Sequence, residues 1–331
     1  MKKIVFICPY FGAFPNYFNL TLKSIEYNKT IDWLIITDIK EKYDYPNNVK
    51  VVNMTFTELQ KKVQSHFDFD ICLNKSFKMC DFRPAYGVIF KEYLNDYDFW
   101  GHCDFDCIYG DLRKFLPENI LEKNERIYCL GHMSLYKNND KVNNIFKNKI
   151  DEDTDYKNIF TKEGAFSFDE MGVIRIMDKE KVKIYNNFVF ADIYPWEKPL
   201  ICVETHINIK EKKHNSFMNK EKRQIFEFDK GKLNSIYLDN KNDDNIKKQE
   251  YMYIHLQRRF MKNLVTDVNK FLIIPNKFID YKNIDRNFIL KNSKFWILYK
   301  RYLKTRRSWN KRKNILKNFI KIYDKNKCDS Y

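Results

Sequence analysis

The stretch D-F-W-G-H-C-D-F-D, from Asp98 to Asp106, decides the predicted fold. Its apolar first half is typical of a buried strand, and two carboxylates follow at positions i and i+2. Because successive side chains alternate across a strand, Asp104 and Asp106 are expected to point to the same side. Two carboxylates on one side repel each other unless a cation lies between them, so the pair predicts a divalent metal site.

Short apolar runs and helical patterns alternate on both sides of this stretch. Strands are predicted at residues 3–8, 33–36 and 49–52, and helices at 19–28 and 78–94. This alternation indicates an α/β fold with a mostly parallel sheet that helices cover on both faces. Ligands bind beyond the carboxyl ends of the strands in such sheets. The candidate ligand-facing residues therefore follow the first two strands: Pro9, Tyr10, Phe11, Gly12, Thr37 and Asp38.

Three further segments carry charged side chains that could serve a site. Asp169 and Glu170 follow the apolar run at 166–168, and His255 follows another at 251–254. Each has an ordinary alternative, because acids favour the first turn of a helix and a histidine after a strand can simply be packed. The third segment could likewise be an ordinary charged start of a helix; it contains Lys78, Asp81 and Arg83.

Composition limits the class of protein. With 44% hydrophobic residues in a chain of 331, the protein is expected to fold around a sizeable core. Its eight cysteines form no C-x-x-C pair, which argues against a cysteine zinc site and is typical of a reducing, intracellular compartment. No stretch reaches the roughly 18 to 20 uncharged apolar residues that a spanning helix needs.

The net charge of +16 is concentrated near the carboxyl terminus. Between Lys291 and Lys327, 14 Lys and Arg residues accompany the single acid Asp324. Bulky side chains recur at near-helical spacing there, which predicts a basic helical appendage at residues 276–331 after a main domain at 1–275. Such a helix suits an anionic membrane surface, while a helix packed on the main domain is the alternative. A nucleic-acid-binding tail is a further alternative, but the main domain is nearly neutral and carries no nucleic-acid motif.

Taken together, these segments resemble the shared core of glycosyltransferases with the GT-A fold. The resemblance is closest to a little-characterised bacterial family encoded in capsule and lipopolysaccharide loci, and it covers roughly residues 1 to 275. Four stretches carry it: P-Y-F-G from Pro9, K-M-C-D-F-R-P-A-Y-G from Lys78, D-F-W-G-H-C-D-F-D from Asp98 and Y-I-H-L-Q-R from Tyr253.

The resemblance implies a role for each candidate residue. Asp104, Asp106 and His255 would hold Mn²⁺ or Mg²⁺ against the diphosphate of a nucleotide sugar, expected to be UDP-linked. Asp169 or Glu170 would act as the base that takes the proton of the acceptor hydroxyl, which favours inversion at the anomeric carbon. The expected contacts to the nucleoside and phosphates are Pro9, Tyr10, Phe11, Gly12, Asp38, Lys78, Asp81, Arg83 and Asp104, with Arg258 and Lys262 near the phosphates.

The resemblance also implies a cellular setting. We expect a cytoplasmic enzyme, peripheral on the inner face of the cytoplasmic membrane, that transfers a sugar to a saccharide or lipid-linked acceptor during capsule or lipopolysaccharide synthesis. No nucleic-acid partner is expected. A metal-dependent phosphoesterase that uses Asp104 and Asp106 is the alternative enzyme, although such enzymes usually cluster more His and Asp ligands around two metals.

Overall fold

Seven strands form the central sheet of the computed structural model, which describes residues 1–220, 222–239, 242–257 and 259–293. The strand order is β3-β2-β1-β4-β7-β6-β8, and the first four strands run parallel. Their bounds are β1 Ile4–Pro9, β2 Ile31–Thr37, β3 Val49–Asn53, β4 Phe99–Cys103, β6 Arg126–Leu130, β7 Met133–Lys137 and β8 Ile184–Tyr185, while β5, Cys107–Tyr109, belongs to a separate sheet. The predicted mixed α/β fold with a parallel-rich sheet is confirmed.

Helices and apolar side chains cover both faces of this sheet. Phe6 and Trp33 point into one buried cluster, and Val5, Leu34 and Trp100 point into the other. The helices are α1 Phe18–Glu26, α2 Phe56–Gln64, α3 Met79–Phe82, α4 Tyr86–Ile89, α5 Leu112–Phe115, α6 Glu118–Lys123, α7 Asp140–Asn143, α8 Tyr156–Thr161, α9 Val173–Lys179 and α10 Arg286–Asn292, with a π-helix at Phe168–Gly172. None of the helices in these described ranges is both long and apolar enough to cross a membrane.

The second half of the chain adds antiparallel sheets. A six-stranded sheet has the order β14-β13-β12-β17-β18-β16, a three-stranded sheet has the order β5-β15-β9, and β10 and β11 form a hairpin. Their bounds are β9 Ala191–Asp192, β10 Val203–Asn208, β11 Lys213–Met218, β12 Gln224–Asp229, β13 Lys232–Asp239, β14 Asn242–Tyr251, β15 Tyr253–His255, β16 Lys262–Leu264, β17 Lys270–Ile274 and β18 Lys277–Asp280.

Three details differ from the predicted elements. The helix predicted at 78–94 is a series of short turns, because Pro84 lacks the N–H that a continuous helix would require there. Strand β4 ends at Cys103, so both acids of the 98–106 stretch lie in the loop between β4 and β5. The run at 166–168 leads into the π-helix, with Ser167 in the left-handed conformation at φ 53°.

The six-stranded sheet crosses the predicted domain boundary. Strands β17 and β18 pair as a hairpin around residue 275, and Ile289 of α10 is buried against the same sheet. The part of the chain that packs with the main domain therefore continues to at least Ser293, which is itself buried. The predicted basic helix from residue 295 onward lies outside the described residues.

Candidate active site

A cavity opens where the strand order of the central sheet reverses. The chain runs from β1 outward to β2 and β3, then returns to place β4 on the other side of β1. The carboxyl ends of β1 and β4 border a cavity of about 520 Å³. This is the crevice in which open α/β sheets bind their ligands, and its volume lies in the usual range of about 300 to 1,000 Å³ for small-molecule sites.

Asp104 and Asp106 line this cavity directly after β4. The backbone holds the loop in place, because the amide of Asp104 donates to the carbonyl of His132 and the carbonyl of Asp106 accepts from Leu256. The strand alternation that was expected to align the two carboxylates is wrong, since neither residue is in a strand. The loop nevertheless turns both toward the cavity.

A third polar side chain reaches these acids through the three-stranded sheet. Strand β15 pairs antiparallel with β5, and Cys107 stands opposite His255. This register places His255 Nε2 3.3 Å from Asp106 Oδ1. One ligand atom from each of Asp104, Asp106 and His255 lies within 4.8 Å of the others.

The donor set of this cluster suits a divalent cation. Two carboxylates and an imidazole match the preferences of Mn²⁺, and the carboxylates also suit Mg²⁺. Burial lowers the pKa of His255, but ionic contacts with Asp106 and Asp192 outweigh it and raise the pKa well above its usual value. A proton on His255 therefore offsets the carboxylate charge in the free protein. Metal binding at His255 Nε2 would release this proton.

Arg83 joins the acids of the cavity to a buried carboxylate behind them. Its Nη2 lies 2.5 Å from Asp104 Oδ1, and its Nη1 lies 2.9 Å from Asp169 Oδ2. Gly131 packs over this bridge, where an added Cβ would lie 2.9 Å from Arg83 Nη1 and 3.0 Å from Asp169 Oδ2. Arg83 thus presents a fixed cation at the cavity, and its contact with phosphate groups stays a prediction.

Asp169 and Glu170 occupy positions different from the expected one. Neither carboxylate lines the cavity. Asp169 is held by Arg83, while Glu170 accepts from the amide of Gly131 at 2.6 Å and lies 2.8 Å from His214 Nε2. The two carboxylates hold Arg83 and the Gly131 loop, and the role of either one toward an acceptor hydroxyl stays a prediction.

The pKa values of Asp169 and Glu170 differ from each other. Burial raises the pKa of Asp169, Arg83 opposes that shift and Glu170 adds to it, which leaves the pKa at about 7. Burial also raises the pKa of Glu170, but hydrogen bonds from His214 and Gly131 outweigh it, so its pKa lies below the usual value. Glu170 is consequently the carboxylate of the pair that stays ionised at neutral pH.

Lys78 and Asp81 form a buried ion pair outside the cavity lining. Lys78 Nζ lies 2.9 Å from Asp81 Oδ2 and donates to the carbonyl of Ile159 at 2.9 Å. Asp81 also accepts from the backbone amides of Phe166 and Phe168. The predicted contact of this pair with a nucleotide is corrected, because their polar atoms hold the segment that leads into the π-helix.

The remaining predicted contacts divide between the cavity and the surface. Pro9, Tyr10 and Phe11 line the cavity, whereas Gly12 is exposed in the same loop at φ 111°. Asp38 and Lys262 are exposed and are not part of the lining, and their ligand contacts stay predictions. Arg258 lies outside the described residues.

Several site residues were missed by the sequence-based reasoning. Arg259 lines the cavity, and Asp192 lies behind His255 with its carboxylate 2.8 Å from Nδ1. The ring of His132 lies 4.7 Å from that of His255, centroid to centroid. Asp192 follows an apolar pair at the end of a two-residue strand, which is too short a pattern to recognise in the sequence.

Fold and cavity define an α/β protein with a candidate divalent-metal site at the crevice of its parallel sheet. The chain belongs to a family of unknown function (DUF6625), whose model matches residues 6–282. No curated protein matches the sequence.

Solved structures that resemble the chain include two glycosyltransferases. The galactosyltransferase LgtC, in complex with donor and acceptor sugar analogs, is 12% identical over 57% of this chain and 75% of its own, with a TM-score of 0.34. The apo form of the glycosyltransferase GlyE from Streptococcus pneumoniae TIGR4 is 12% identical over 57% of this chain and 46% of its own, with a TM-score of 0.32.

Proposed function

We propose that the protein is a metal-dependent glycosyltransferase that moves a sugar from a nucleotide donor, UDP-linked, to a saccharide or lipid-linked acceptor. The acceptor would belong to a surface polysaccharide, capsule or lipopolysaccharide. The observation that carries the proposal is the cluster of Asp104, Asp106 and His255 at the cavity between β1 and β4.

Breaking the bond between a sugar and a phosphate leaves a nucleoside diphosphate whose growing negative charge must be neutralised. Asp104, Asp106 and His255 would hold Mn²⁺ or Mg²⁺, and a bound divalent cation supplies charge stabilisation to the leaving diphosphate. Arg83 adds a second positive charge at the same wall of the cavity, and Asp169 keeps its guanidinium in place. We propose neither inversion nor retention at the anomeric carbon, because Asp169 and Glu170, the two acids predicted to act as a base, lie outside the cavity lining.

Aromatic side chains at the cavity support a sugar nucleotide as the ligand. Tyr10 and Phe11 line the cavity next to the end of β1, where a nucleoside could pack. Phe77 and Phe260 also line it and are 58% and 61% exposed. Such rings combine a large apolar area with little loss of side-chain freedom.

Ligand-induced stabilisation tests the proposed donor and metal. UDP and UDP-sugars are expected to raise the melting temperature only when Mn²⁺ is present, because a ligand of the folded state stabilises it by about 2.7 kcal/mol at a hundred times its Kd. Melting curves with UDP, GDP and CDP, each with Mn²⁺ or with EDTA, measure the effect. If no nucleoside diphosphate shifts the curve in the presence of Mn²⁺, the proposal is wrong.

A metal-dependent phosphoesterase is the second candidate, since His132, Asp192 and His255 form another potential metal-binding group beside the first. Product analysis separates the two functions. A transferase releases UDP efficiently from a UDP-sugar only when an acceptor glycan is added, whereas a phosphoesterase cleaves its substrate at the same rate without one. A phosphoesterase with two metals would also bind two Mn²⁺ ions per chain.

We further propose that the basic segment after residue 293 attaches the enzyme to anionic membrane surfaces. Removing residues 294–331 is expected to lower binding to phosphatidylserine vesicles by at least about tenfold, since each basic residue near the headgroups contributes about 1 kcal/mol. Cosedimentation measures binding, with phosphatidylcholine vesicles as the control. Unchanged vesicle binding after truncation would contradict the proposal, and tight binding of the full chain to an oligonucleotide would favour the nucleic-acid alternative.

A further inference from the structure

Asp192 is a buried carboxylate that the proposed chemistry does not yet use. It is 5% exposed and is not part of the cavity lining. Strand β9 pairs parallel with β15 so that Asp192 stands opposite His255, and the amide of Ile193 donates to the His255 carbonyl at 2.9 Å. The two side chains are thus held together by the sheet itself.

Two hydrogen bonds converge on one oxygen of this carboxylate. His255 Nδ1 lies 2.8 Å from Asp192 Oδ1, and Gln257 Nε2 donates to the same oxygen at 2.7 Å. Gln257 adopts the left-handed conformation at φ 48°, which is uncommon for a residue other than glycine. The chain therefore makes a local turn immediately after β15 that brings a second donor to Asp192.

We propose that Asp192 is a positioning residue that orients His255 as a metal ligand, an inference that rests on the proposed function. With Nδ1–H donated to Asp192, Nε2 faces Asp106 at 3.3 Å, and its lone pair is directed to the cluster of acids once a metal displaces its proton. A rotation of the ring would lose this hydrogen bond. Carboxylates that accept from a metal-binding histidine fix its tautomer and raise its basicity, and their loss typically weakens metal affinity about 10- to 100-fold.

The adjoining group of His132, Asp192 and His255 could instead be read as a second metal site. The contacts favour the orienting role. His255 Nδ1 is already at hydrogen-bond distance from Asp192. A metal in this group would have to displace the proton from His255 Nδ1 while its Nε2 serves the first site. One bound Mn²⁺ per chain is therefore expected.

The isosteric variant Asp192→Asn tests the proposal in the full-length protein. Calorimetric titration with Mn²⁺ is expected to give a Kd about 10 to 100 times higher than that of the wild type. The matched control is Glu227→Gln, because Glu227 is also a buried carboxylate, but it lies in β12 and pairs with Lys248 at 2.8 Å. The control should bind Mn²⁺ with wild-type affinity.

A double-mutant cycle separates positioning from a general structural effect. Once His255 is replaced by alanine, the additional change Asp192→Asn should not weaken Mn²⁺ binding further, since Asp192 acts through His255. Equal losses in both backgrounds would overturn the positioning role. If the wild type itself binds no Mn²⁺, the proposed function fails; if the wild type binds Mn²⁺ and Asp192→Asn binds it equally well, only the present inference fails.

Nuclear magnetic resonance of the wild type gives a result that is independent of variant folding. In protein labelled with ¹⁵N-histidine, one equivalent of diamagnetic Zn²⁺ should shift the Nε2 resonance of His255 while Nδ1 keeps its proton. His255→Gln identifies the resonance. Loss of the Nδ1 proton on metal binding would overturn the proposal, because the metal would then occupy the side of the ring that faces Asp192.

Discussion

Replacing Asp106 with asparagine is expected to abolish metal-dependent turnover. Mn²⁺ binding should weaken by well over roughly 100-fold, which is the loss caused by removing a residue that contacts a metal ligand but not the metal itself. Asp106 is 13% exposed at its side chain, and its Oδ1 lies closest to the third ligand, His255, at 3.3 Å. The amide has nearly the same shape but no charge, so it replaces a charged carboxylate ligand with a weaker neutral oxygen and leaves the loop geometry intact. Calorimetric titration with Mn²⁺ and release of UDP measure the two effects.

The matched control for this variant is Asp98→Asn. Asp98 lies at the opposite, amino-terminal end of β4, where its carboxylate accepts from the backbone amide of Lys3 at 2.8 Å. This control should retain Mn²⁺ binding and turnover. An Asp106→Asn protein that binds Mn²⁺ with wild-type affinity would contradict the metal assignment, whatever its activity.

Replacing Arg83 with methionine is expected to cost both stability and turnover. The change leaves Asp169, 5% exposed at its side chain, without its cation, and breaking such a buried pair costs about 3 to 5 kcal/mol. It also removes a positive charge from the cavity wall, for which a loss of about 10²- to 10³-fold in kcat is expected. Denaturant unfolding and initial rates with saturating UDP-sugar measure the two effects.

The stability loss in Arg83→Met should depend on pH. The pKa of Asp169 is raised to about 7 in the folded wild type, so this group favours folding at low pH and loses that contribution as pH rises toward 7. Without Arg83, which lowers this pKa, the decline should extend to higher pH. The difference in unfolding free energy between wild type and variant should therefore be larger at pH 8 than at pH 5.

One variant tests the geometry of the Arg83 contacts separately from its charge, and a second variant serves as the control. Arg83→Lys keeps the charge but cannot bridge Asp104 and Asp169 with two nitrogens, so it should recover only part of the loss. Arg113→Met removes an arginine of the same 17% side-chain exposure at the amino-terminal end of the sheet, where it contacts Thr30 and the Lys2 carbonyl. This control should leave turnover unchanged. A pH-independent difference in stability would contradict the assigned role of Arg83.

The central sheet could be predicted from the sequence because its signals are local. The runs that become β1, β2 and β3 are each unbroken stretches of mostly apolar residues, and helical patterns follow β1 and β3. The acids at 104 and 106 could be found for the same reason, since an apolar strand precedes them directly. The three-stranded sheet was not predicted, because β5, β9 and β15 are short and β5 pairs with β15 across a long sequence distance.

The errors at the site arise from contacts that no local pattern encodes. Lys78 and Asp81 look like solvated charges in the sequence, but each finds its partner in the other and in a segment about 80 residues away. Asp169 follows an apolar run in the sequence, but its bond to Arg83 joins it to a residue 86 positions away. Asp192 becomes recognisable only when β9 pairs with β15 and brings it beside His255.

The pairing of β5 with β15 also has a consequence for biosynthesis. The two acids of the cluster emerge from the ribosome about 150 residues before His255, which joins them only when its strand docks beside Cys107. A nascent chain that has already formed the central sheet therefore still lacks the imidazole. Under the proposed function, this delay would keep an unfinished chain from consuming sugar nucleotides before its translation nears completion.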